Sequence, residues 1–286
     1  MSDQLVQIGG HGRGFGATTR ADNWWIGPTL TFLGLSAFIV YASWAGMQGA
    51  YYWADPYLSP MYAPLLFVDP SAPGSAPLDH AWFGEFPSWW YALDGVLPGL
   101  PKRALTTPAA LILIFPAAFR LTCYYYRKAY YRAFALTPPA CAVQGIREGK
   151  YRGETHLLLF QNLHRYALYF ALVFIVILAY DALVSFFKDG QFGIGVGSIV
   201  QTINAILLAG YTFGCHSLRH LIGGRKNWMT CDGGKASTHH RLWLGCSRLN
   251  GKHMLWAWLS LFWVGFTDFY IRMVSMGVIT DLNTWD

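Results

Sequence analysis

The chain has 286 residues, 54% of them hydrophobic and only 13% charged, with a formal net charge of +6. Soluble domains carry about 25% charged residues, so this composition and a positive mean hydropathy exclude an ordinary soluble domain. They point to an all-α, polytopic membrane protein. Thirteen Trp and seventeen Tyr agree, because amphipathic rings collect at both bilayer interfaces. The basic balance sorts by loop, so it reports topology and not a nucleic-acid partner.

Residues 1–25 are polar and glycine-rich, without the short apolar core and small-residue cleavage site of a secretory signal. They read as a retained N-terminal tail outside the bilayer. A helix needs about 20 mostly apolar residues to cross the hydrocarbon core. Residues 26–47, 104–126, 166–187, 195–218 and 254–276 meet that requirement and predict a five-helix membrane domain over 26–278. An outer loop at 49–103 and an outer C-terminal tail at 279–286 complete the chain. The second span carries Arg120, the third Asp181, and the fifth Asp268 and Arg272. Those last two are spaced i,i+4 and can pair. Ionisable groups inside a membrane are usually paired or functional.

Lys and Arg orient the bundle. The 127–165 segment holds Arg127, Lys128, Arg132, Arg147, Lys150, Arg152 and Arg165. A second basic segment, 219–253, holds Arg219, Arg225, Lys226, Lys235, Arg241, Arg248 and Lys252. The outer loop has only Lys102 and Arg103 against Asp55, Asp69, Asp79, Glu85 and Asp94. The positive-inside rule puts both basic segments, and with them the N-terminus, in the cytoplasm.

On this topology all five cysteines fall on the inner side. So do all the histidines except His80 in the outer loop, with His11 in the inner tail. Structural disulfides belong to the oxidising side of the membrane, so the cysteines suggest another use. Cys123 closes the second span, His164 opens the third, Cys215 and His216 close the fourth with His220 one turn on, and His253 opens the fifth. A lone Cys on a helix is most often a small buried hydrophobe, and a His at a helix end often hydrogen-bonds carbonyls or headgroups. Independent causes of that kind do not predict a Cys or His from four spans at one depth. A shared metal centre does.

Two centres fit. Facing histidines among His164, His216, His220 and His253 suit a b-type haem, but leave the cysteines unexplained. A mixed Cys and His set suits a Rieske-type [2Fe–2S] cluster, with two thiolates on one iron and two imidazoles on the other. Soluble Rieske domains carry Cys-x-His and Cys-x-x-His pairs, which this chain lacks. Cys215 and His216 are about 100° apart around their helix, so they do not both face one centre. One ligand per span then gives Cys123, His164, Cys215 and His253, with Cys141, His216 and His220 in reserve. Cys123 and Cys141 remain alternatives for the second thiolate. Cys231, Cys246, His239 and His240 lie in a charged segment that reads as a solvated basic face. A transporter or scaffold with packed Cys and His is the rival from another class, although no inverted repeat joins the spans.

The motifs "RLTCYYYRKAYYRAF", "PPACAV", "QNLHRY", "GCHSLRH" and "LNGKHM", in this order over residues 104–275, resemble one family. It is the membrane-anchor subunit of the actinobacterial-type (type F) succinate dehydrogenase, respiratory complex II. The resemblance implies a place in the bacterial plasma membrane beside a flavoprotein and an iron–sulfur subunit. It also implies a membrane-embedded Rieske-type cluster in place of haem, and quinone as the electron acceptor. Succinate would be oxidised in a partner, and the basic segments would dock the iron–sulfur subunit and meet anionic lipid. The quinone pocket is then expected where Arg120, Tyr124 and Tyr166 meet Trp256 near the inner interface.

Overall fold

The computed structural model describes residues 14–93, 106–146, 156–223 and 237–285. His11, Asp94, Lys102, Arg103, Arg147, Lys150, Arg152, Arg225, Lys226, Cys231 and Lys235 lie outside the described residues. The chain is mainly helical. Helix α1 (Ile26–Gln48) is followed by a short hairpin of β1 (Trp53–Ala54) and β2 (Tyr57–Leu58). Next come α2 (Pro108–Ile112), α3 (Ile114–Thr122), α4 (Tyr124–Ala133) and α5 (Leu157–Val184). A second hairpin, β3 (Phe187–Lys188) with β4 (Gln191–Phe192), leads to α6 (Val196–Phe213) and α7 (His216–Gly223). Helices α8 (Thr238–Asn250) and α9 (His253–Ser275) close the order.

Among the described residues, α1, α5, α6 and α9 are long and apolar enough to cross a membrane by length and composition. The expected second span is helical but interrupted. Its helices α3 and α4 meet at Cys123, which is extended (φ −62°, ψ 129°). Just before it, the Thr122 hydroxyl donates to the Ala118 carbonyl at 2.7 Å, a back-bond that bends helices. A second interruption separates α6 from α7 at Gly214 and Cys215. There Asn250 Nδ2 donates to the freed Gly214 carbonyl at 2.8 Å, as apolar surroundings require of a broken helix. The segment expected to be a solvated face contains α8, started by Ser237, whose hydroxyl accepts from the His240 N–H at 3.2 Å.

The bundle is built inside out relative to a soluble one. Leu30, Leu33 and Val40 of α1, Val173 and Val176 of α5, and Phe262 and Phe266 of α9 are exposed. The inward stripe of α5 is His164, Ala167, Leu168, Ala171, Ile175, Leu178 and Ala182, spaced at one helical face. Small residues on such stripes let helices approach closely without a hydrophobic driving force between them. Helix α5 packs on α3 and α6, α6 on α9, and α9 on α1. The α6–α9 approach depends on Gly210, where an added Cβ would stand 2.7 Å from the Trp256 ring.

The end away from the basic segments is closed by a packed cap. Helix α1 stops at Gly49, whose left-handed φ of 61° suits glycine. Tyr62 then staples that end, accepting from the Gly49 N–H at 3.0 Å and donating to the Ala45 carbonyl at 2.7 Å. Its ring stacks on Tyr52 at 4.3 Å over a core of Ala45, Met61, Leu65 and Val68. At this level Asp268 and Arg272 of α9 do pair, Nε to carboxylate at 3.3 Å, both fully buried. Asp181 does not: one carboxylate oxygen is buried without a hydrogen-bond partner among the described residues.

Candidate metal centre

Cys123 and Cys215 both sit at helix interruptions, and the histidines that meet them sit on continuous helices. Leaving the helical path lets each thiol turn inward at a level its own helix would not otherwise reach. His164 lies in the first third of α5, and His253 is the first residue of α9. The result is two contacts. His164 Nε2 lies 3.1 Å from Cys215 Sγ, and His253 Nε2 lies 3.7 Å from Cys123 Sγ. Cys123, Cys215 and His164 are buried. Cys123 and Cys215 belong to one buried cluster with Phe119, Tyr126 and Tyr211.

Aromatic rings wall the site. Phe119 stacks on His164 with centroids 4.7 Å apart, and Tyr211 stacks on His253 at 5.0 Å. Phe119 and Tyr211 then meet edge to face at 5.4 Å. The tautomer of His164 follows from its neighbour. Thr122 spends its one hydroxyl hydrogen on the Ala118 carbonyl and lies 2.9 Å from His164 Nδ1. It therefore accepts from Nδ1–H, which leaves Nε2 as the acceptor facing the Cys215 thiol. The Nδ1 of His253 is buried with no partner among the described residues, as are the Tyr211 hydroxyl and Trp256 Nε1.

The reserve residues lie apart from these contacts. His216 and His220 are exposed, with their rings 4.7 Å apart on α7. Cys141 is exposed: Arg132 Nη2 donates to its sulfur at 3.6 Å and Arg20 Nη1 to its carbonyl at 2.9 Å. Cys246 is buried on α8, and that burial pushes its thiol pKa up, so it stays protonated as packing. His240 stacks on Trp243 of the same helix at 6.0 Å. Among the described residues, no three His, Cys, Asp or Glu side chains gather as a single bound ion would need.

The expected quinone residues separate into two kinds. Arg120 points inward and is committed to protein groups. It donates to the Tyr126 hydroxyl at 2.5 Å, the Ala257 carbonyl at 3.3 Å and the Ser260 hydroxyl at 3.0 Å. Trp256 is packed against Gly210, one residue from Ala257. Tyr124 and Tyr166 are 61% and 67% exposed, so they face outward from the bundle. Thr122, Phe119 and Tyr211 are site residues that sequence reasoning missed. Thr122 and Phe119 lie one and four residues before Cys123, and Tyr211 lies four before Cys215. The i−4 spacing puts Phe119 and Tyr211 on the faces of those cysteines and would have found them, whereas Thr122, about 100° around from Cys123 on a helix, carried no such signal.

Fold and site together define a polytopic all-α membrane anchor with a buried Cys and His centre at its basic end. The chain belongs to the family described as actinobacterial succinate dehydrogenase subunit SdhC, which matches residues 26–277. Among solved structures it is similar to a chain of the Mycobacterium smegmatis Sdh1 complex in the apo form, with 38% identity and a TM-score of 0.76. That match covers 94% of each chain. No curated protein matches the chain. It is thus a multi-pass subunit of succinate dehydrogenase in the plasma membrane, with flavoprotein and iron–sulfur subunits as partners. Family membership replaces the transporter or scaffold reading.

Proposed function

We propose that this anchor passes electrons from the iron–sulfur subunit to quinone through a [2Fe–2S] cluster held by Cys123, His164, Cys215 and His253. The observation that carries the reading is the pairing of two buried thiols, at two helix interruptions, with two imidazoles on α5 and α9. Four donors suit a two-iron group with two protein ligands per iron, whereas a single ion needs three or four around one point. The chemistry of the donor set fits as well. His164 turns Nε2 toward the Cys215 sulfur, and the Thr122 contact at Nδ1 is the kind of partner that orients a metal-bound imidazole. His253 turns Nε2 toward the Cys123 sulfur, and its buried Nδ1 has no hydrogen-bond partner among the described residues.

Bound there, a cluster of mixed thiolate and imidazole ligation supplies one-electron transfer at a potential above that of an all-Cys ferredoxin centre. The residues of the chain do the rest. Cys123 and Cys215 bring thiolates inside the membrane, and His164 and His253 bring neutral nitrogen donors. Phe119 and Tyr211 cover the imidazole faces and exclude water. The b-haem reading is the less favoured one, because His164 and His253 each meet a cysteine and Phe119, Tyr126 and Tyr211 pack among those cysteines.

The quinone headgroup is assigned to the same end, at Arg120, Tyr124, Tyr166 and Trp256. Trp256 Nε1 is a buried donor without a partner, and the exposed Tyr124 and Tyr166 rings offer surfaces to a molecule arriving from lipid. Arg120 holds α9 at Ala257 and Ser260 and so fixes the position of Trp256. Dithionite-reduced optical and EPR spectra of the intact complex, recorded together, test the reading. A rhombic, Rieske-like signal without haem bands is expected. Sharp reduced haem bands without that signal would overturn it.

A further inference from the structure

We propose that His216 and His220 form a binding site for an exchangeable divalent transition ion, of which Zn²⁺ is the redox-inert example. The site is separate from the contacts among Cys123, His164, Cys215 and His253, and it does not depend on what those residues hold. His216 opens α7 (His216–Gly223) and His220 lies four residues on. That spacing puts both on one helical face. His-x-x-x-His on a helix is also the spacing that presents two imidazoles to one Zn²⁺ in metalloproteases. There a Glu follows the first His and acts as the base, and here Ser217 takes that place. The pair is therefore a binding site and not a hydrolytic one.

The geometry agrees with a shared ion. The two rings lie 4.7 Å apart between centroids, with their planes at 82°. Two imidazoles on one tetrahedral ion, each nitrogen at about 2.0–2.1 Å from it, put their centroids about 5 Å apart. Both residues are exposed, so an ion reaches them from water. The helix that carries them is fixed on its other sides. Leu218 and Leu221 pack against the core cluster that contains Cys215 and Tyr211. An added Cβ at Gly223 would stand 2.6 Å from the Trp243 ring of α8, and the Arg219 guanidinium is held over that ring at 4.8 Å. A backbone fixed in this way gives up little freedom when the two rings chelate. No third protein donor joins them among the described residues. Water fills the remaining positions, so the ion is loosely held and exchanges, unlike a structural Zn²⁺ with four protein ligands.

The test is equilibrium dialysis of the intact, detergent-solubilised complex against buffered Zn²⁺, comparing wild type, His216→Asn, His220→Asn and His220→Cys. Outer-shell losses alone cost about 10–100-fold in metal affinity, so deleting a ligand is expected to weaken the binding that distinguishes wild type by about tenfold or more. Both Asn variants are expected to show that loss. His220→Cys is expected to retain the ion, because a thiolate at the same position also ligates Zn²⁺. Succinate oxidation by the flavoprotein subunit serves as the control for assembly. Isotherms that coincide for wild type and both Asn variants would overturn the site, whether Zn²⁺ then binds elsewhere or does not bind. If one Asn variant does not assemble, the other decides by the same comparison. Loss of the ion from His220→Cys as well as from the Asn variants would also contradict coordination at position 220.

Discussion

The Asp268–Arg272 network at one end of the bundle and the Cys and His site at the other both bury polar side chains among apolar helices, yet these two clusters treat hydrogen-bonding capacity in opposite ways. At the capped end, all five Arg272 donors are used. Nε and one Nη2 hydrogen go to Asp268, the other Nη2 hydrogen to the Ala45 carbonyl, and the two Nη1 hydrogens to Gln48 and the Ala50 carbonyl. Asp268 also accepts from Tyr41 and Ser59. At the basic end, the Tyr211 hydroxyl, His253 Nδ1 and Trp256 Nε1 have no partner among the described residues, and two thiols face two imidazoles. A complete network reads as structure, because its energy is realised in the folded chain alone. An incomplete one keeps hydrogen-bonding capacity that the described residues do not use, and two buried thiols facing two imidazoles set it apart from the Asp268–Arg272 network.

The first way to break the comparison is Cys215→Ser, which removes a donor from the incomplete end. It is expected to abolish the membrane cluster signal and succinate-dependent quinone reduction while leaving thermal unfolding in detergent nearly unchanged. A large loss of stability with the signal retained would make Cys215 packing. Next in size is Arg272→Met at the complete end. Deleting one partner of a buried pair costs about 3–5 kcal/mol, because Asp268 is left as an uncompensated charge. The expected outcome is a steep fall in the thermal midpoint with unchanged spectra in whatever complex still assembles.

Thr122→Val sharpens the comparison within the site. His164 would lose the acceptor that fixes its Nδ1–H, and outer-shell losses of this kind cost about 10–100-fold in metal affinity or activity. Iron and acid-labile sulfide analysis of the purified complex measures the loss, and unchanged occupancy would detach Thr122 from the site. The smallest effect is expected from Gly210→Ala. A Cβ at 2.7 Å from the Trp256 ring forces α6 and α9 apart, at about 1–3 kcal/mol of overpacking. Thermal unfolding reads that cost, and its absence would mean that the Trp256 ring moves aside freely.

The helical, polytopic character was legible in the sequence, because hydropathy is an average over many residues. The first and fifth spans were expected at 26–47 and 254–276, and the helices run Ile26–Gln48 and His253–Ser275. The i,i+4 pairing of Asp268 with Arg272 was also readable, since it depends only on helical spacing. Its other partners were not: Gln48, Ala45, Ala50, Tyr41 and Ser59 come from α1 and the cap, over 200 residues away in sequence. The helix interruptions at Cys123 and Cys215 were hidden for a different reason. A window of about 20 residues averages over a single extended residue, so both segments read as uniform spans. The Cys and His depths could be counted from the sequence, but the pairing of Cys215 with His164 and of Cys123 with His253 depends on which helices are neighbours. Helix α8 was masked by its charge, since its two histidines and two arginines suppress the apolar signal that the Ser237 cap would have supported.

The central claim is that Cys123, His164, Cys215 and His253 together hold a two-iron cluster in the membrane. Pulsed EPR of the reduced intact complex, prepared with ¹⁵N-labelled histidine, tests it most directly. Two strongly coupled imidazole nitrogens on a signal separate from those of the partner subunits' clusters are the expected result, with His164→Ala removing that pattern. Reduced iron–sulfur signals free of any histidine nitrogen coupling would contradict the account.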